Sequence, residues 1–460
     1  MRTRTVGIIG GGPGGLMTAY ALQKAANCPV RITLFEASDR VGGKILTPQF
    51  ARASVHYEAG AAEFYDYSLF DDDPLKELIA EMGLSIRAMG GPATILNGQI
   101  VSNLDDVRSH LGPRAASALS AFDRLAKDRM TPQEFYHSDH PDGSASEAIE
   151  ARFDTMLAAV AEPEARRYIE QLIHSDLATE PCLTSTSYGL QNYLMNDPAY
   201  MRIYGIEGGN EQLPRALASR IDATFCLGHK VVGVAGTDDG RLRVESDHNG
   251  LRRRDEFDFV VVALPHGHLR SIEFRGDRLA AAMQKHHAYY DHPAHYLRIT
   301  ALFERPFWRE CFTDSYWMLD RFGGCCLYDE SSREPAGTHG VLGWLLGGTA
   351  AEQMSRQTDE QLIAEAIDSL PSFLAHGRDY FIEARVHRWV GAVNAMPGGA
   401  AARSLDRRHQ PEPTDHPNLF VVGDYMLDST LNGVLDSAQY VAAWLATTML
   451  ENAETLHAER

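Results

Sequence analysis

A chain of 460 residues with 62 acidic against 43 basic side chains carries a formal charge of −19, which argues against nucleic acid or an anionic membrane as a partner. Hydrophobic content of 44% with 23% charged residues is that of a globular protein too long for one ordinary core, so two interleaved domains are expected. No apolar run reaches membrane-spanning length, Met1-Arg-Thr-Arg runs straight into an apolar stretch with no leader expected, and six cysteines without disulfide-like spacing point to a reduced cytoplasm.

Val6 to Ile9 is a short β-branched run suited to a buried parallel strand, and it delivers the chain into Gly10-x-Gly12-x-Gly14-Gly15. In that pattern Gly10 serves a tight turn, Gly12 lets a pyrophosphate approach the backbone, and Gly15 lets the helix Leu16–Lys24 pack close to the strand. The helix start is an anion site, because its N–H groups are free and its dipole is positive there. A second strand, Val30–Phe35, ends at Glu36, about twenty residues on, where a carboxylate accepts hydrogen bonds from the ribose hydroxyls of an adenosine.

Further along, Asp73-Pro74 to Gly83 reads as a capped helix and Asn97-Gly98 as a hairpin turn. Apolar spacing of three and four predicts helices near Asp105–Asp128, Ser146–Val160, Pro163–His174 and Thr184–Met195. The loop Tyr136 to Gly143 holds two histidines and two aspartates, but its Pro, Gly and Ser describe a surface loop as well, so no metal is assigned. Arg241–Glu245, a turn at Asn249-Gly250 and Arg252–Leu264 suggest antiparallel strands. His286 to His295 reads as a polar connector, with strands near Tyr316, Cys325 and Val341–Leu346, and Thr358-x-x-Gln361 opens a helix with a capping box. Leu419–Gly423 is a buried strand ending at Asp424, and a last helix starts at Asn432-Gly433.

The stretch Glu36-Ala37 through Arg40-Val-Gly42-Gly43-Lys44, the segment Gly60-Ala61-Ala62, the corner Pro306-Phe-Trp308 and the closing Gly423-Asp424 with Gly433-Val434-Leu435 together resemble the flavin amine oxidase and protoporphyrinogen oxidase superfamily. The resemblance implies a Rossmann-like FAD-binding domain (1–70, 204–285, 388–460) interleaved with an α+β substrate domain (71–203, 286–387). It also implies that FAD is the cofactor. Arg40, Gly43 and Lys44 would meet its diphosphate, Gly60 to Ala62 would run beneath the flavin, and Val231 would meet adenine. Leu264, Trp389, Gly423 and Asp424 would pass close to the cofactor, and the Gly433–Leu435 helix start would face the flavin carbonyl edge.

This sequence departs from its relatives in four places. Ala400 stands where some carry a flavin-linked cysteine, which implies noncovalent FAD. Ala401 and Thr430 stand where monoamine oxidases carry an aromatic cage, leaving Tyr425 as a partial substitute. Arg298 replaces the lysine that holds a water at flavin N5 and is the one catalytic candidate, with a strand arginine paired to a carboxylate as the alternative reading. Glu63 replaces an arginine that clamps substrate carboxylates in tryptophan-oxidising relatives; a glutamate there attracts an ammonium instead. The expected activity is FAD-dependent oxidation of a C–N bond in a small-molecule amine, with dioxygen as acceptor. The alternatives are carbon–carbon desaturation and a flavin-binding protein without turnover. No metal, nucleic acid or membrane anchor is expected, and a homodimer is left open.

Overall fold

The computed structural model describes residues 2–69, 72–91, 93–137, 151–312, 314–333, 337–398 and 403–458. Its centre is a five-stranded parallel sheet in the order Leu419–Val421, Phe259–Val262, Arg4–Ile9, Val30–Phe35, Ala223–Cys226. Alternation along these strands sorts the core into two layers. Val6, Ile8, Ile32, Leu34 and Val261 pack against the helices Pro13–Ala25 and Leu431–Ala458, while Ile9, Phe35, Val260 and Val262 face a second, four-stranded sheet. Gly7 is needed on that second face, where a Cβ would press into the ring of Phe257.

The run expected as one strand over Arg252–Leu264 divides at Asp258, which corrects the sequence reading. Leu251–Phe257 is antiparallel in the outer sheet, and Phe259–Val262 crosses into the central sheet parallel to the first strand. Asp258 pins that crossing by accepting from the Thr5 N–H and hydroxyl at 2.8 and 3.0 Å.

The rest of the chain builds a seven-stranded sheet ordered Phe381–Asn394, Pro293–Phe303, Gly340–Gly347, Cys325–Asp329, Tyr316–Leu319, Thr94–Leu96, Gln99–Val101. One face buries Trp308, Trp317 and Trp344, and the other meets the helices Leu104–Arg129, Pro163–Leu177 and Thr186–Leu194. The fold is mixed α/β, with the parallel-sheet layer assembled from stretches widely separated in sequence.

Local expectations hold where a turn or cap fixes the backbone. Asn97-Gly98 and Asn249-Gly250 both take positive φ in their hairpins, Asp73 caps its helix through the Leu75 and Lys76 N–H groups, and Thr358 and Gln361 form the reciprocal capping box. The helix expected over Ser146–Val160 is a single turn and a half, Phe153–Leu157, among the described residues. The connector expected from His286 is instead the end of the helix Asp277–Tyr289, whose Leu279, Met283 and His286 recur at helical spacing on the buried face. The loop from Ser138 to Gly143, with its metal question, lies outside the described residues, as do Ala400 and Ala401.

Candidate active site

The strand Arg4–Ile9 hands the chain to a turn that only glycine can make. Gly10 has φ +115°, and a Cβ on Gly15 would overlap the Gly10 carbonyl oxygen. The helix Pro13–Ala25 therefore starts hard against the strand, with proline in its first turn, no acidic residue there and no side chain capping Gly12. That leaves amide donors and a positive dipole end open to an anion.

These glycines line the middle of a 480 Å³ cavity along the carboxyl ends of the central strands. At the end beyond the second strand, Glu36 and Ala37 line the wall. The Glu36 carboxylate is oriented by the Gly11 N–H at 2.8 Å and by the Ser38 N–H and hydroxyl at 2.9 and 2.8 Å. Val231 and Leu264 line the same cavity with His229, Lys230, His268 and Ser271. In its middle, Gly10, Gly12, Gly14 and Gly43 face Gly423 and Asp424, and Lys44 reaches within 3.8 Å of the Asp424 carboxylate while donating to the Ala392 carbonyl at 2.7 Å. Trp389 and Val434 close the far end.

The elongated shape, the acid beside the adenosine end, the bare helix start and the Cβ-free turn fit a flavin dinucleotide. When bound, Glu36, the Gly10–Gly15 turn and Lys44 would hold its ribose and diphosphate, and Trp389 and Val434 would lie at its ring. The other expected positions act from behind this wall. Gly15 supports the turn. Arg40 bridges the Val41 and Gly43 carbonyls at 3.1 and 2.7 Å and so braces the loop. Leu435 is core between helix and sheet, and Gly433 packs where a Cβ would collide with Asp428. His229, Lys230, His268 and Ser271 were not expected. The first two directly precede Val231, so that strand's register carried the signal, whereas the 3₁₀ turn His266–Ser271 left no pattern.

Gly60, Ala61 and Ala62 do not line that cavity; they are clamped beside it. The carbonyls of Glu58, Ala59, Ala61 and Ala62 each accept from a side chain of a different segment: Arg298 at 2.7 Å, Trp389 at 2.7 Å, Asn210 at 2.9 Å and Arg333. A Cβ on Gly60 would overlap the Lys44 carbonyl, so the strap lies flush with the cofactor loop. Glu58 is fully buried, bonded to the Asn210 N–H, to Thr47 and to Arg333, yet burial pushes its carboxyl up to about 7. Arg298 is wholly buried, paired with Glu330 and stacked 5.2 Å from the Tyr328 ring. It thus stands in a network of buried ions that positions the strap, and its Nη1 has no partner among the described residues.

A second cavity is linked to the first through the paired strands Pro293–Phe303 and Phe381–Asn394. Tyr65, Tyr188 and Tyr296 line it with Asp176, Asn192 and the stretch Asp428–Thr430, and Tyr296 is the register partner of Trp389. Thr430 caps the last helix, accepting from the Gly433 N–H at 3.2 Å, which explains a small polar residue there. Burial raises Asp176 to about 8, with Glu63 adding to the rise, and burial raises Glu63 too. Tyr425, expected at the substrate, is not in this cavity: it is buried among His266, His286 and Tyr290 behind the 3₁₀ turn Asp424–Met426.

His266, His287 and Asp291 bring possible ligand atoms within 4.8 Å of one another, but Arg270 already donates to His287 and Asp291 and supplies the positive charge there. No helix among the described residues is long and apolar enough to cross a membrane.

Fold and cavity together define a flavin-dependent oxidoreductase with a parallel-sheet nucleotide layer and a second layer built on the seven-stranded sheet. Residues 13–445 match the profile of the flavin-containing amine oxidoreductases, and the chain belongs to that family of FAD-dependent oxidoreductases. Among curated proteins it is 33% identical over 99 residues to prenylcysteine oxidase 1-like of Bos taurus, covering 21% of this chain and 19% of that protein. It is 24% identical over 296 residues to protoporphyrinogen oxidase of Bos taurus, covering 57% and 60%. The chain thus aligns with about a fifth to three-fifths of the length of these curated relatives. A putrescine oxidase solved with putrescine bound superposes with a TM-score of 0.69 over 98% of this chain and 99% of that one, at 20% identity, a likeness of fold.

Proposed function

We propose that this chain oxidises a C–N bond of a small amine, using noncovalently held FAD and dioxygen. The observation that carries the reading is the juxtaposition of the dinucleotide cavity with a tyrosine-lined cavity whose described lining carries two carboxylates, Asp176 and, at the helix cap, Asp428. Bound FAD supplies a two-electron acceptor for hydride from the carbon next to nitrogen, and dioxygen reoxidises it to give peroxide.

The protein's own part is orientation. Tyrosine rings exclude water and leave the reacting nitrogen in an environment that favours its neutral form, which hydride loss requires. The clamped strap Glu58–Ala62 fixes one wall of the cofactor loop, with Arg298 as a positioning residue. The start of the helix Leu431–Ala458, which brings Val434 to the ring end, favours negative charge there.

The partial likeness to protoporphyrinogen oxidase supports a second reading, carbon–carbon desaturation. The cavity weighs against it, because porphyrinogens carry carboxylates and the described lining offers them no cationic partner away from water. The test is anaerobic bleaching of the bound flavin by panels of amines and of polyenes or porphyrinogens, with peroxide measured after air is admitted. Bleaching by amines with peroxide supports the proposal. Bleaching by polyenes or porphyrinogens alone, or by nothing, overturns it.

A further inference from the structure

Six ionisable side chains crowd the interior beside the tyrosine-lined cavity, and their signs do not balance. Arg298 and Arg333 supply two positive charges, against carboxylates on Glu58, Glu63, Asp176 and Glu330. Arg298 is committed to Glu330 and Arg333 to Glu58. The two acids left over are Glu63 and Asp176. Glu63 Oε2 is shut off from solvent with no hydrogen-bond partner among the described residues, and Asp176 lines the cavity itself.

The groups facing Asp176 come from several elements. Asn196 donates to its carboxylate, the Tyr296 hydroxyl lies 3.3 Å from its carbonyl oxygen, and Glu63 repels it. The hydroxyls of Tyr65, Tyr316 and Tyr328 and the Cys326 thiol, all within its electrostatic reach, stay protonated, since burial, with the nearby carboxylates adding to it, holds their ionisation up. Arg298 and Arg333 act on Glu63, not on Asp176. Among the described residues no cationic side chain answers Asp176. A desolvated carboxylate in that position either keeps a proton or takes a cation from outside.

Resting on the amine reading above, we propose that Asp176, with Glu63 behind it, is the specificity-determining residue of the cavity: it takes a second cationic group of the substrate, remote from the nitrogen being oxidised, in exchange for its proton. The tyrosine rings around it suit an ammonium, since their faces carry negative charge. Burial and Glu63 keep Asp176 largely protonated at pH 7, so the exchange releases a proton to buffer and binding strengthens as pH rises from 6 towards 8.

The test titrates anaerobic FAD-loaded protein with 1,4-diaminobutane and with butylamine, following the visible flavin spectrum. Proton release is taken from the dependence of the binding heat on buffer ionisation enthalpy. The expected result is half-saturation by the diamine at a concentration at least tenfold lower than by the monoamine, with up to one proton more released per diamine at pH 7 than per butylamine, whose own release comes from the nitrogen to be oxidised. Asp176→Asn should abolish both the preference and the diamine's extra release, and Glu63→Gln should reduce that extra release by lowering the resting protonation of Asp176. An unchanged preference in Asp176→Asn, or no preference in the unaltered protein, overturns the inference while leaving amine oxidation standing if butylamine bleaches the flavin. Should the diamine perturb the spectrum with proton release yet bleach nothing, the cation site stands and the oxidation reading falls. If Asp176→Asn does not fold, Glu63→Gln and the buffer dependence decide alone.

Discussion

Arg298 shows how one residue type can be legible while its job is not. Its place in the strand before the Pro-Phe-Trp corner suggested a group near the reacting atoms. The structure gives it a buried partnership with Glu330 and the Glu58 carbonyl. Removing one member of such a network leaves an uncompensated buried charge, so Arg298→Met should lower unfolding free energy by about 3–5 kcal/mol, measured by urea denaturation. A loss below 1 kcal/mol would mean that the network is not structural. Two histidines set the acid limit. Burial holds His286 down to about 3 and His409 to about 4, so the folded state binds fewer protons than the unfolded state, whose histidines titrate near 6.5. Their contribution is whole above about pH 6.5 and is lost as pH falls towards 4 and then 3. The urea midpoint should fall over that range, and less steeply in His409→Asn; equal slopes would contradict the assignment.

At the scale of elements, what could be read in advance is what short-range chemistry fixes. The first strand, the glycine turn, its helix and Glu36 follow from spacing, because a β-branched run, a Cβ-free turn and an apolar helix face each constrain their own neighbours. Gly15→Ala should strip the protein of flavin, read as loss of yellow colour in the purified protein, since its Cβ would push the helix off the Gly10 turn. Thr358→Ala should cost about 1 kcal/mol without changing flavin content, because neither Thr358 nor Gln361 lines the cavity. The sequence reading went astray where a long-range partner decides. The division at Asp258 is made by Thr5, more than 250 residues away, and the histidine-rich stretch became a helix end because His286 docks on Tyr425.

For the whole molecule, the nucleotide layer and the seven-stranded sheet meet through the strap at Glu58–Ala62 and through Trp389, so cofactor and fold are coupled. FAD bound to the native state alone should stabilise it by about 2.7 kcal/mol at a hundredfold excess over Kd. Thermal unfolding of stripped and reconstituted protein checks this, and identical midpoints would show that the cavity does not close on the cofactor.

The chain by itself determined the dinucleotide end: glycines, strand, helix and acid lie within about forty residues, where local geometry leaves one solution. Only the tertiary structure decided which side chains line the second cavity. Asp176 and Tyr296 are 120 residues apart and carry no shared pattern, yet packing sets them in one cavity. Tyr425, adjacent to a cavity-lining aspartate, was turned instead into a cluster of buried rings. Burial and sign of charge are properties of what surrounds a residue, and sequence neighbours do not supply them.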